Sequence, residues 1–107
     1  MRKVWIVYGS FCGYVPDEDD YELGNWTVAV YDDEQAAIQH HRLVEEYWEK
    51  VLDVPEFRES SIQERHKFWK DNPWDNNPPE TRSRTCPTYR IEQGVLYSHP
   101  DQFQGES

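Results

Sequence analysis

WTVAVYDDEQAA, residues 26–37, decides the fold. Trp26 to Tyr31 is a β-branched and aromatic run, the composition that suits a pleated and half-buried strand. Side chains alternate along a strand, so Trp26, Val28 and Val30 are predicted on one face and Thr27, Ala29 and Tyr31 on the other. At Asp32 the pattern changes. Asp32 is a favourable helix N-cap, and Gln35 stands three residues on, where its side chain can return to the cap amide. Asp33 and Glu34 oppose the positive end of the helix dipole. A strand therefore runs directly into a helix.

That helix continues well past residue 37. Ala36, Ala37, His40, Leu43, Val44, Tyr47, Trp48, Val51 and Leu52 recur at three- and four-residue spacing, while Gln39, Arg42, Glu46, Glu49 and Lys50 fall elsewhere. The stripe predicts burial of Leu43, Val44, Trp48 and Leu52 against the sheet. Pro55 restricts Val54 and cannot continue the helix, so the end is expected near Asp53.

On the N-terminal side, Lys3 to Tyr8 (KVWIVY) predicts a strand with apolar neighbours on both faces, and Gly9 to Gly13 either extends it or turns it away. Pro16 with the acids that follow marks an exposed loop through Asn25. On the C-terminal side, Ser61 with Glu64 forms a second capping signal, opening a shorter helix to about Lys70 with Ile62, Arg65 or His66, and Trp69 on one side. Asn72 to Pro87 holds four prolines and three asparagines and predicts a loop. Tyr89 to Tyr97 returns to strand character, as one strand with a bulge at Gly94 or as a hairpin through Gln93 and Gly94. Residues 98–107 are expected to form a loose tail.

The sum is a single α+β domain over residues 1–97: a small antiparallel sheet of three to four strands against one long helix, with a second short helix. A chain of 107 residues leaves no room for two independent cores. Sixteen aromatic residues supply burial area that the low apolar fraction of 36% otherwise lacks, which predicts a small aromatic core.

Charge is distributed unevenly. Residues 12–41 carry eight acids (Asp17, Glu18, Asp19, Asp20, Glu22, Asp32, Asp33, Glu34) and no lysine or arginine, whereas the other 77 residues hold 13 acids and 11 bases. A field of one sign attracts cationic surfaces and repels nucleic acid and anionic membrane. Arg82, Arg84 and Arg90, beside Trp74 and Tyr89, are the residues a direct nucleic-acid contact would use, and a net charge of −10 opposes it. No segment approaches the ~20 apolar residues of a membrane span, and the N-terminus has no run long enough for a secretory signal. These features predict a cytoplasmic protein with reduced thiols at Cys12 and Cys86.

Signals for catalysis and for cofactors are weak. The acids at 17–22 have no apolar cover to separate their pKa values, and an EF-hand frame started at Asp17 puts Glu22 where glycine is required and Val28 where glutamate is required. Cys12, Cys86, His40, His41, His66 and His99 include neither a Cys-x-x-Cys nor a His-x-x-x-His unit, so no metal is expected. His40 on the helix stripe reads as a histidine bonded to a backbone carbonyl, and Cys12 as a buried thiol. The five glycines are scattered, which gives no phosphate loop and no expected cofactor.

VYDDEQAA, residues 30–37, resembles a turn found in small uncharacterised α+β proteins of bacteriophage genomes, where a strand ends in V-F/Y-S/D-x-E-x-A and enters a helix. The resemblance covers roughly residues 3–52 and, more loosely, 89–97. It assigns no activity and carries over no functional residue. It implies a phage setting, in which small acidic proteins bind and disable host machinery, as anti-CRISPR and anti-restriction proteins do. The expected protein is then a non-enzymatic acidic inhibitor or nucleic-acid mimic of the host cytoplasm, which meets a basic host surface through Asp17, Glu18, Asp19, Asp20, Glu22, Asp32, Asp33 and Glu34. Such a surface is that of a nucleic-acid-processing complex, and Trp69 or Trp74 would serve as aromatic anchor. The alternative is a homodimer or larger homo-oligomer with a ligand or enzymatic site at its interface.

Overall fold

The computed structural model describes residues 2–15, 18–79 and 86–101, with backbone alone for Ile62 and Gln63. It is α+β, with strand β1 (Arg2–Val15), strand β2 (Asp20–Tyr31), helix α1 (Glu34–Leu52), short helices α2 (Pro55–Arg58) and α3 (Ile62–Lys70), and strand β3 (Thr88–Leu96). The sheet order is β2-β1-β3 and both pairings are antiparallel. β2 and β3 thus run in the same direction on either side of β1, joined by helices that cover one face, called inner here.

Of the two courses open to residues 9–13 the chain takes the extended one, and the loop expected through Asn25 is largely strand. β1 extends through Gly9 to Val15, and its partner begins at Asp20, so the residues from Asp20 to Asn25 are strand and not loop. The glycines explain the continuity. A Cβ on Gly9 would collide with the indole of Trp26, and one on Gly24 with the ring of Phe11. Each aromatic ring lies over a glycine of the neighbouring strand, as Gly9 opposes Trp26 and Phe11 opposes Gly24. Asp19, at φ 47°, takes the left-handed conformation that a short polar residue tolerates in the turn.

A bulge changes the predicted alternation. Val7 opposes Ala29 while Tyr8 opposes Thr27, which leaves Val28 as an extra residue on β2. Trp26 before it and Tyr31 after it therefore reach the same inner face, despite opposite parity, and Val30 is exposed on the outer one. β3 has neither the bulge nor the hairpin expected at Gly94, which pairs in unbroken register with Val4.

α1 begins one residue later than expected: Asp33 is the N-cap, without a side-chain cap bond, and the exposed Asp32 lies 3.9 Å from Arg2. The helix ends at Asp53 as Pro55 requires, and that proline opens α2 at its first turn, where its missing amide hydrogen is harmless. The buried stripe is Ala37, Val44, Trp48 and Val51; Leu43 is half-buried and Leu52 is 45% exposed, correcting the assignment of both to the core. α3 carries the predicted capping box, in which Ser61 Oγ accepts from Glu64 N at 3.2 Å and Glu64 Oε1 accepts from Ser61 N at 3.4 Å.

Six of the eight residues in the core cluster are aromatic: Phe11, Trp26, Trp48, Phe57, Trp69 and Tyr89, with Val44 and Val51. Trp69 brings α3 onto the sheet, its ring centroid 5.7 Å from Phe11, 5.9 Å from Trp26 and 5.6 Å from Trp48. Phe57 seats α2 against the other helices, beside Trp48 of α1 and Phe68 of α3. Within the expected tail, residues 98–101 hold a local turn with Asp101 N donating to His99 Nδ1, and residues 102–107 lie outside the described part.

Candidate interaction surface

Beyond Ser10, β1 loses β3 and pairs with β2 alone, so Phe11–Val15 and Asp20–Gly24 form a two-stranded ribbon past the end of the three-stranded sheet. Alternation divides it cleanly. Phe11, Gly13 and Val15 point inward and are buried, while Cys12 and Tyr14 point outward opposite Leu23 and Tyr21. The outer set is an apolar strip: Leu23 is 74% exposed, Tyr21 67% and Tyr14 44%, with the two tyrosine rings 5.4 Å apart. The exposure of Cys12 corrects the expected buried thiol. Tyr14 Oη donates to Asp19 Oδ1 at 2.5 Å, and that carboxylate, by holding the phenolic proton, raises the Tyr14 pKa.

Glu18, Asp19 and Asp20 are exposed at the ribbon tip, Glu22 is half-buried, and Asp17 lies outside the described residues. Asp32, Asp33 and Glu34 are exposed at the opposite end of β2. A strand of twelve residues separates the two groups, on the order of 40 Å at about 3.3 Å per residue. Screening at 0.15 M salt acts over about 8 Å, so these are two independent fields. The contiguous acidic segment of the sequence is not one acidic surface of the molecule.

The two tryptophans expected as anchors separate as well. Trp69 is 4% exposed and interior, so it presents nothing to a partner. Trp74 is 38% exposed and its segment is tied to α1: its carbonyl accepts from His40 Nε2 at 2.6 Å, and Tyr31 Oη is hydrogen-bonded to His40 Nδ1 at 2.6 Å. The bond to a backbone carbonyl gives His40 the structural role expected of it. His41 faces an acceptor at each nitrogen, the Tyr89 carbonyl at 2.8 Å and Glu45 at 2.9 Å.

Among the described residues, the predicted loop at 72–87 is irregular from Asn72 to Pro79 and at Cys86 and Pro87. It nevertheless buries Asp75 to 2%. The Asp75 carboxylate accepts from Trp26 Nε1 at 3.0 and 3.2 Å, from Tyr89 Oη at 3.1 Å and from Asn77 N at 3.3 Å; Tyr89 Oη in turn accepts from Trp48 Nε1 at 3.1 Å. Burial, with Asp75 beside it, pushes the Tyr89 pKa far above that of a free phenol. Sequence reading missed this centre. Its signal was indirect: buried indole and phenol donors require acceptors, and Asp75 is one of two carboxylates, with Glu80, in the breaker-rich loop.

Among the described residues, no group of three or more His, Cys, Asp and Glu side chains converges as a metal site, and no helix is long and apolar enough to cross a membrane. Arg82 and Arg84 of the expected basic patch lie outside the described residues; Arg90 stacks its guanidinium 4.9 Å from the Tyr8 ring and bonds Glu92 at 2.9 Å. A cavity of about 390 Å³ opens beside the start of β3, lined by Ser10, Cys12, Leu23, Asn25, Cys86 and Thr88 among others. No protein-family model matches the sequence, and neither a curated protein nor a solved structure is significantly similar to it.

Proposed function

We propose that the chain is a non-enzymatic binding protein that docks the outer face of its β1–β2 ribbon on a basic protein surface. One observation carries the reading: the exposed strip Tyr14, Tyr21 and Leu23 is bordered at the tip by Glu18, Asp19 and Asp20. Interfaces draw their affinity from a few aromatic and apolar anchors, and carboxylates at the rim steer the approach and select for cationic partners. Among the described residues no third strand pairs with the ribbon, and the strip on its outer face is exposed. A basic groove of a nucleic-acid-processing complex is the partner chemistry these groups fit, within the phage setting that the 30–37 turn implies. The distal acids Asp32, Asp33 and Glu34 stand outside this surface.

The test compares the unaltered protein with a Tyr21→Ser, Leu23→Ser double variant as baits in bacterial lysate, at low and at physiological salt, with quantitative mass spectrometry. A partner retained in stoichiometric amount by the first and lost by the second is the expected result, with retention falling as salt rises. Equal retention by both baits would remove the ribbon from the interaction.

A further inference from the structure

β1 and β3 pair antiparallel as far as Ser10 opposite Thr88. The ladder stops there, because Pro87 has no amide hydrogen to give it; Cys12 lies two residues beyond Ser10 and Cys86 two residues before Thr88, packed against the core cluster. Cys86 nonetheless stays near β1, since both cysteines line the same cavity of about 390 Å³. Both thiols are free. A register continued for those two residues would set their Cα atoms about 4.5–5.5 Å apart, inside the window of roughly 4.4–6.8 Å that a disulfide spans.

We propose that Cys12 and Cys86 form a redox-responsive dithiol, which a small-molecule disulfide such as oxidised glutathione converts to an intramolecular cross-strand bridge. The inference is independent of the binding role proposed above. Cys12 is exposed and meets the oxidant first; Cys86 is half-buried, and burial raises its thiol pKa although Arg65 counteracts this in part. The Cys12 thiolate attacks one sulfur of the oxidant, breaking its S–S bond and releasing one glutathione thiol as a mixed disulfide forms. The Cys86 thiolate then attacks Cys12 Sγ and expels the second glutathione. Two protein thiols lose two protons and two electrons, and the oxidant becomes two thiols. The bridge fastens the base of the ribbon to the C-terminal end of the loop that carries Asp75.

The full chain, incubated with oxidised glutathione near pH 8 and quenched with acid, is read by intact mass and non-reducing peptide mapping. The expected product is a monomer lighter by about 2 Da with a Cys12–Cys86 cross-linked peptide. Because the bridge closes a loop of roughly 75 residues, its Tm should rise by at least about 5 °C and return on reduction. Cys86→Ala should stop at a mixed disulfide on Cys12, heavier by about 305 Da, because no resolving thiol remains. Wild-type protein that accumulates this adduct, dimerises through disulfides, or stays unmodified would overturn the proposal.

Discussion

The body of the domain and its two-stranded ribbon use the same residue types to opposite ends. In the body, aromatic rings converge on one another and their polar atoms converge on Asp75, so a carboxylate becomes an internal fastener. On the ribbon's outer face, Tyr14 and Tyr21 lean on each other and remain exposed, as do Glu18, Asp19 and Asp20. The third strand and the helices make the difference. Where β3 and α1 flank β1, an aromatic is enclosed and its hydrogen bonds must be met inside; where they stop, the same residue becomes a surface. Substitutions should therefore affect stability in the body and association on the ribbon.

The largest effect is expected at Asp75. Asp75→Ala leaves Trp26 Nε1–H and Tyr89 Oη–H enclosed without an acceptor, each such orphan costing about 1–3 kcal/mol, for a total loss of about 3–5 kcal/mol. That is a large share of the roughly 5–15 kcal/mol by which domains are stable. Asp75→Asn keeps one acceptor oxygen and should cost less than the alanine. Urea unfolding measures both, and a loss below about 1 kcal/mol for Asp75→Ala would break the distinction between body and surface carboxylates.

Next comes the helix seam. Val44 is fully buried between α1 and the sheet, so Val44→Ala should cost about 2 kcal/mol through lost burial and a residual cavity. Leu52→Ala, on the same helix but 45% exposed, should cost under about 0.5 kcal/mol. Equal effects at both positions would mean that the stripe has been placed on the wrong side of α1.

Alkaline pH separates the regions by a smaller amount. The Tyr89 pKa is raised in the folded state, chiefly by burial and then by Asp75. Below about pH 10 the phenol is protonated in folded and unfolded chains alike and contributes no pH dependence. Above it the unfolded chain loses a proton that the folded one keeps, so stability falls with rising pH, by up to about 1.4 kcal/mol per pH unit for this residue. Tyr47, also raised by burial, adds to the slope. Unfolding free energies between pH 9 and 11 should decline for the wild type and less steeply for Tyr89→Phe; matching slopes would show that Tyr89 ionises as freely as a surface phenol.

Much of the body was legible in sequence because its signals are local. The strand-to-helix switch at 26–37, the Ser61–Glu64 box and the stop before Pro55 each rest on residues within a few positions of one another, and each stands in the fold. The misses that reshape the sheet and its centre depend on distant partners. The bulge at Val28 arises from register against β1 and reverses the face of every later residue on β2, which sequence alternation cannot register. Gly9 and Gly24 read as breakers until the rings of Trp26 and Phe11 are laid over them. Asp75 was one polar residue in a breaker-rich loop. The acidic segment misled for a related reason: density along the chain is not density in space when a strand lies in between.

The smallest stability effect, and the sharpest test of the ribbon, comes from its tip. Glu18→Gln, Asp19→Asn and Asp20→Asn together remove three exposed like charges while preserving shape, and asparagine tolerates the left-handed backbone at position 19. Stability should change by less than about 0.5 kcal/mol, since mutual repulsion is relieved while the Tyr14 bond to position 19 weakens. Association should respond differently. Exposed charges act through screening, so the affinity of the unaltered protein for a captured basic partner should fall as salt rises towards 0.15 M, and the triple variant should bind more weakly with a flatter salt dependence. A matching change at Asp32, Asp33 and Glu34 is the control, because those residues lie at the far end of β2 and belong to a separate field. If the distal variant alters the salt slope as much as the tip variant does, the partner spans both ends of the strand, and the ribbon loses its standing as a self-contained surface.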